Sequence, residues 1–403
     1  MPTDEVLETS DVPVPVRAII LLSSMMTVMA GAIVAPALPE IQKHFADHAS
    51  SQLLTRLIIT TPALAIAIIA PLSGFLVDLF GRKRLLISSL ILYAIAGTSG
   101  VWLESLETIL VGRLVLGVAI AGVMTSATTL VGDLFAGEPR SKFLGLQSAF
   151  MSISGVLFLP LGGALTELSW HGPFIIYVLS IPIAVLAWLK LREPNRENSI
   201  NTKSQEPFPI VSVALICLTI HVLSIALYVY VVQWSFLARE VFKASSFQLS
   251  WVGALMMVAS AGVGLTFSKF AAPARLWVIY AISFLLMGVG YVMIALAPTL
   301  WLAIPGLIVA GLGSGLFMPN SSLEVMARVS PATRGRAIGL LTASIFAGHF
   351  LSPLVTQPIV KSQGVAASFV WWGVALTIVG TLIALAALID RHARVSSGRL
   401  LQP

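Results

Sequence analysis

The chain has 403 residues, 57% of them hydrophobic and only 10% charged, with 24 Lys and Arg against 18 Asp and Glu. A soluble domain carries about 25% charged residues, so this composition excludes an ordinary water-soluble protein and points to lipid as the solvent. The net charge of +6 does not mark a nucleic-acid binder, because the bases are scattered between apolar runs instead of gathered on one polar domain.

The chain opens on MPTDEVLETSDVPVPVR, acidic and Pro-containing, without the basic start of a signal peptide; a short cytosolic tail is expected. About 20 apolar residues cross a bilayer as one helix. Helices are therefore predicted near 17–38, 53–77, 84–103, 106–129, 143–165, 173–191, 208–234, 248–268, 276–296, 299–322, 337–359 and 367–389. The polar stretch EPNRENSINTKSQEP is the one real linker. It divides the chain into a six-helix bundle over 1–192, a linker over 193–207 and a second six-helix bundle over 208–403. Eighteen of the 24 bases fall in alternate loops or tails, so the positive-inside rule puts both termini and the linker in the cytoplasm. The single cysteine, Cys217, lies inside an apolar run and says nothing of redox compartment.

The first helix, AIILLSSMMTVMAGAIVAPALP, contains no acid, and no acid lies near the middle of any predicted span. The loop between helices 2 and 3 reads GFLVDLFGRKRLL. Gly74 lets helix 2 approach a neighbour closely, and Gly81 permits a tight turn. Asp78 and Arg82, four residues apart, can pair across that turn, and Asp133 at the end of helix 4 supplies a carboxylate on the same side. In the second half the equivalent loop, FSKFAAPARLW, has lost the acid.

Helix 4 carries Arg113 inside the membrane in RLVLGVAIAG. An arginine at mid-membrane costs about 2.5–3.5 kcal/mol, so a role in a proton or anion path competes with snorkelling to the headgroups. Helix 5 carries GVLFLPLGG, in which Pro160 gives a kink and small residues allow close packing. A shift of 194 residues superposes Gly117 on Gly311, Arg140 on Arg334 and Lys142 on Arg336. Such a long repeat fits two similar bundles that rock about a central site.

The GFLVDLFGRKRLL loop resembles the signature between helices 2 and 3 of the major facilitator superfamily, with Gly74, Leu76, Asp78, Gly81, Arg82, Lys83 and Arg84 at its matching positions. The resemblance covers the whole chain and implies an all-α membrane fold of twelve helices in two pseudo-symmetric six-helix bundles. It implies further that Asp78, Arg82 and Asp133 form a charge cluster latching the cytoplasmic side. Arg113 followed by Gly117 resembles the family's second motif. Gly155, Pro160, Gly162 and Gly163 resemble the motif of its antiporters, with Leu159 where a glycine stands in that pattern.

In that fold helices 1, 4, 7 and 10 line the central path. Thr125 and Ser126 of helix 4, His221, Tyr228 and Gln233 of helix 7, and Asn320 of helix 10 then join Arg113 as candidates for a substrate or proton path. Tyr228 and Tyr230 cannot both face that path at 100° per residue. His221, and His349 in helix 11, are the side chains able to carry a proton near neutral pH.

No G-x-x-x-x-G-K-[ST] run or H-E-x-x-H is present, so neither ATP hydrolysis nor another enzyme activity is expected. The reading is a secondary active transporter working by alternating access. Its expected mode is proton-coupled efflux of a drug or small metabolite, an anion such as a siderophore among the candidates. Uptake or facilitated diffusion of an organic anion is the alternative within transport, and a non-transporting receptor the alternative outside it. No cofactor, metal or nucleic acid is expected. The expected partners are a small-molecule substrate, protons and lipid, for a monomer in a bacterial inner membrane.

Overall fold

A computed structural model describes residues 12–72, 77, 79–135, 137–193, 208–267, 276–330 and 333–396. The predicted linker lies outside these residues except for Glu193. Among the described residues, twelve helices are long and apolar enough to cross a membrane. We number them α1 (Val14–His44), α2 (Ser51–Leu72), α3 (Arg82–Val101), α4 (Leu106–Leu134), α5 (Glu138–Leu168), α6 (Gly172–Lys190), α7 (Ile210–Glu240), α8 (Ser246–Thr266), α9 (Trp277–Leu296), α10 (Trp301–Arg328), α11 (Arg334–Gln363) and α12 (Val365–Ile389). An even number of crossings sets both termini on one side, the termini side. The other is called the far side.

Each run becomes a helix because hydrocarbon leaves a backbone no other way to satisfy its N–H and C=O groups. The helices follow the predicted runs closely and extend beyond several of them, since the last turns are polar and project past the apolar core. The α1 span is interrupted. Pro36 and Pro39 turn it through a short 3-10 segment at Ala35–Ala37 before Leu38–His44 resumes the helix.

Packing repeats with an offset of six helices. In the first half α2 and α3 pack on α4, α1 on α5 and α3 on α6; in the second, α8 and α9 pack on α10, α7 on α11 and α9 on α12. The offset is visible at single residues. A Cβ on Gly117 would lie 2.3 Å from the Pro62 carbonyl oxygen of α2, and one on its repeat mate Gly311 would lie 2.4 Å from the Met256 carbonyl oxygen of α8. Glycine is what lets each pair of backbones come so close. Between the halves, α5 packs on α8 and α2 on α11. The outer surface is apolar, with Trp188, Leu189, Val211, Leu218, Leu382 and Leu385 exposed, as a lipid-facing surface requires.

Candidate functional site

On the termini side the signature loop folds against α4. Arg82 Nε donates to Asp133 Oδ2 at 2.9 Å, with side chains 16% and 26% exposed. Gly81 holds φ at +78°, a conformation that favours glycine, and its turn opens α3. The backbone N–H groups of Arg82 and Lys83 donate to Glu193 Oε1 and Oε2 at 2.5 and 3.0 Å. A carboxylate placed there satisfies two of the N–H groups left open by the helix start and complements the helix dipole. Lys83 Nζ donates to the Trp188 carbonyl at 2.9 Å, and Arg84 is exposed. Gly74 and Asp78 lie outside the described residues. Arg82 thus has Asp133 as its described ion partner, and Glu193 is a member of the cluster that sequence reasoning missed. Its signal was weak: an acid at the start of a polar linker ordinarily reads as solvated.

On the far side a second cluster joins the two halves. Arg56 of α2 is 2% exposed. Its Nε donates to Gln233 Oε1 of α7 at 3.0 Å, and Nη1 donates to Gln42 Oε1 at 2.9 Å and to the Gln52 carbonyl at 2.7 Å. The guanidinium carbon sits 3.9 Å over the Phe236 ring. Close by, Arg239 of α7 pairs with Glu40 of α1 at 2.5 Å, the Phe247 N–H of α8 donates to Glu167 of α5 at 3.1 Å, and Gln357 of α11 donates to Gln52 of α2 at 3.3 Å. The Arg56–Gln233 bond and these three run from one half to the other and tie the halves together at the far end. Above the clamp lies an open cavity of about 570 Å³ lined by both halves, including Glu40, Lys43, Trp170 and Arg239. His171 stacks on Trp170, and burial, and then the nearby His44, push its imidazole below its ordinary value.

Sequence reasoning did not single out Arg56, although the predicted helix near 53–77 already holds it inside a span with no acid one turn away, which was the missed signal.

Gln233 is part of this clamp; the other predicted path residues are dispersed. Arg113 is 1% exposed and enclosed within the first half. Its Nη1 donates to Tyr177 Oη at 2.8 Å, that hydroxyl donates to the Ala30 carbonyl at 2.6 Å, and the guanidinium lies over the Phe174 and Tyr177 rings of α6. It points neither to headgroups nor across to the second half. Asn320 and Ser126 are buried, and Thr125 is half-buried. Tyr230 turns away to donate to the Gly253 carbonyl of α8 at 2.7 Å, whereas Tyr228 faces the first half, its hydroxyl 4.0 Å from a Cβ placed on Gly31 of α1. His221 Nδ1 lies 2.8 Å from the Ser344 carbonyl of α11.

The glycines of α5 divide their work. A Cβ on Gly162 would lie 2.1 Å from the Ile33 carbonyl oxygen of α1, in its own half. One on Gly163 would lie 2.3 Å from Ser250 Oγ of α8, in the other half. Gly155 meets Met257 of α8 in the same way, and Pro160 lies inside the helix between them.

Two halves repeating at six helices, a signature loop paired with α4 and a polar closure between the halves are features of one fold, and comparison with known proteins decides the family. The description of the Major Facilitator Superfamily matches residues 20–243 and again 214–400. This chain belongs to the Major Facilitator Superfamily. It is a multi-pass membrane transporter of that family and not an enzyme. Among Major Facilitator proteins it is similar to the Tetracycline resistance protein, class C, of Escherichia coli, at 26% identity over 376 residues covering 88% of this chain and 91% of that protein. It is also similar to YceJ, an uncharacterized MFS-type transporter of Bacillus subtilis (strain 168), at 24% identity over 325 residues covering 78% and 82%. A crystal structure of a D-xylose-proton symporter superposes with a TM-score of 0.76 at 15% identity, over 92% of this chain and 96% of that one. That likeness concerns the fold alone.

Proposed function

We propose that the protein exports a drug or small metabolite from the cytoplasm by alternating access, driven by protons entering in exchange. The observation that carries the reading is the far-end clamp. Arg56, Gln233, Glu40 and Arg239 tie together surfaces that a rocking mechanism must part, and they do so with hydrogen bonds and one partly exposed ion pair, which can break and re-form. With the termini in the cytoplasm, as the distribution of bases favours, this is the conformation closed to the periplasm. The outward direction is supported by the likeness to a tetracycline resistance protein over most of both chains, since removing a drug from the cell confers resistance to it. Gly163 supports it further, because it admits α8 at the interface where the antiporter-like segment of α5 lies.

A second reading, uptake of an organic anion, is favoured by one feature. Arg56 is held by two amides, a carbonyl and a ring instead of a carboxylate, so parting the halves exposes a cation without an acid bonded to it.

Accumulation in an efflux-deficient bacterial strain separates the two. Cells expressing the chain are loaded with lipophilic cations, neutral antibiotics or carboxylate metabolites, with and without a protonophore. Export predicts lower accumulation of at least one class, reversed by the protonophore. Raised accumulation of carboxylates would replace export with uptake.

A further inference from the structure

A carrier driven by protons requires a group near mid-membrane that takes up and releases a proton around neutral pH. Every acid in the twelve spans lies within about one turn of a helix end: Glu40, Glu107, Asp133, Glu138, Glu167, Glu240 and Glu324. Tyrosine, cysteine and arginine ordinarily titrate well above neutrality. Histidine is the side chain suited to the task, and the spans hold His44 at the end of α1, His221 in α7 and His349 in α11. His349 stands midway along α11, about 22 Å from either end at 1.5 Å per residue.

Its surroundings are unusual for a packing residue. His349 is 5% exposed, and neither ring nitrogen has a hydrogen-bond partner among the described residues. Leaving a buried polar group unsatisfied costs about 1–3 kcal/mol, so such a group in a native core asks for an explanation. The ring stacks flat on Tyr228 of α7, centroids 3.7 Å apart and planes inclined by 16°, with Phe346 edge-on at 5.2 Å. Gly348 makes this seam possible, since a Cβ there would lie 2.7 Å from the His221 carbonyl oxygen of α7. Two buried hydroxyls, Ser224 of α7 and Ser352 of α11, also lack partners among the described residues.

The charged groups of the elements around α11 are engaged elsewhere. Arg56 of α2 is in the far-end clamp, and Glu324 and Arg328 of α10 pair with each other at 2.8 Å near the termini side. Arg334, Arg336 and Lys361 sit at the ends of α11 itself. From α12, Trp372 reaches across to donate to Thr356. His221 and Tyr228 of α7 are the titratable groups that face the ring.

We propose that His349 carries the coupling proton and that Tyr228 is its cover. The Tyr228 hydroxyl abuts Gly31 of α1, in the opposite half. When the halves part at the far end, α1 withdraws from Tyr228, the seam admits water, and a ring nitrogen of His349 takes a proton from it. When the far end closes, Tyr228 lies flat on the ring again, which then has neither acceptor nor counter-ion, and the proton leaves to water on the termini side. One proton crosses inward per cycle, and no bond other than N–H forms or breaks. The inference rests on the reading of proton-driven transport.

The test needs no identified substrate. The full chain, with Cys217→Ser and spin labels on cysteines replacing Ala49 and Thr299, is purified, and the distance between the labels across the far end is measured from pH 5.5 to pH 8.5. In the parent protein the far-end-open population is expected to rise by about tenfold on acidification, because protons favour the state that binds them better. His349→Gln should abolish the rise and His221→Gln should keep it. His349→Glu should restore it with the midpoint moved toward acid, which a packing role would not predict. Should His349→Gln not fold, His349→Phe keeps a ring on Tyr228 and is expected to be equally flat. A full pH response in His349→Gln or His349→Phe would overturn the assignment while leaving proton coupling in place. A parent protein indifferent to pH would overturn proton coupling itself, and the assignment with it.

Discussion

Arg56 of α2 and Gln233 of α7 share a hydrogen bond of 3.0 Å that joins the first half of the chain to the second at the far end. The arginine is buried, so the bond is made out of water and is charge-assisted, a class that contributes about 1.5–3 kcal/mol. Arg56→Ala should therefore move the balance between far-end-closed and far-end-open states by about 10- to 100-fold toward open. Labelling rates of cysteines introduced beside the clamp measure that balance. An unchanged rate would mean that the clamp is incidental.

The termini-side cluster should be weaker and more local. Asp133→Asn removes the described ion partner of Arg82 from a partly solvated pair worth about 1 kcal/mol. Transport is expected to fall several-fold while the protein still inserts, and high salt should imitate part of the effect. Gly81→Ala should be more damaging. It forces a side chain onto a backbone at φ +78° and puts a Cβ 2.8 Å from Glu193 Oε1. Flux at matched membrane level, with Glu193→Gln as a companion, shows whether capping α3 or pairing Arg82 matters more.

Two glycines of α5 give a matched pair. Gly163→Val should prevent α8 from seating at the far end and so reduce transport at least tenfold, given the 2.3 Å approach to Ser250. A Cβ on Gly145 meets nothing within 4 Å, so Gly145→Ala should be neutral or stabilise its helix by about 1 kcal/mol. Thermal unfolding and flux of the two variants, side by side, separate an interface defect from a helix effect.

Arg113→Ala should act through stability. The guanidinium bridges Tyr177 and lies on two rings of α6, and removing it leaves a cavity and loses the bond to the Tyr177 hydroxyl. The expected result is lower thermal stability by several degrees with substrate preference unaltered, across a panel of anionic and neutral compounds. A selective loss of anions would return Arg113 to the transport path.

Much of the fold was legible because its rules are coarse. Length and apolarity mark a crossing helix wherever it packs, and a 194-residue offset between Gly117 and Gly311 shows in the letters as plainly as in the contacts each glycine permits. The site was less legible. Arg113 and Arg56 are both arginines near the far end of a span, and nothing in the sequence says that one faces its own bundle and the other faces across. That depends on helix rotation, which packing partners such as Phe174 and Phe236 decide. Glu193 escaped notice because its role lies 111 residues away in sequence, at the start of α3. His349 was recognised as titratable, but its missing partners become apparent only when α7 is laid against α11.

The central claim is that the far-end closure must open for transport to occur. Gln357 Nε2 and Gln52 Oε1 lie 3.3 Å apart across the two halves, which makes them a place to fasten it. The measurement is flux through a Cys217→Ser, Gln52→Cys, Gln357→Cys protein joined by a short methanethiosulfonate cross-linker, before and after reduction. Alternating access predicts that the cross-link stops transport and that reduction restores it. Undiminished flux through the cross-linked protein would contradict the account.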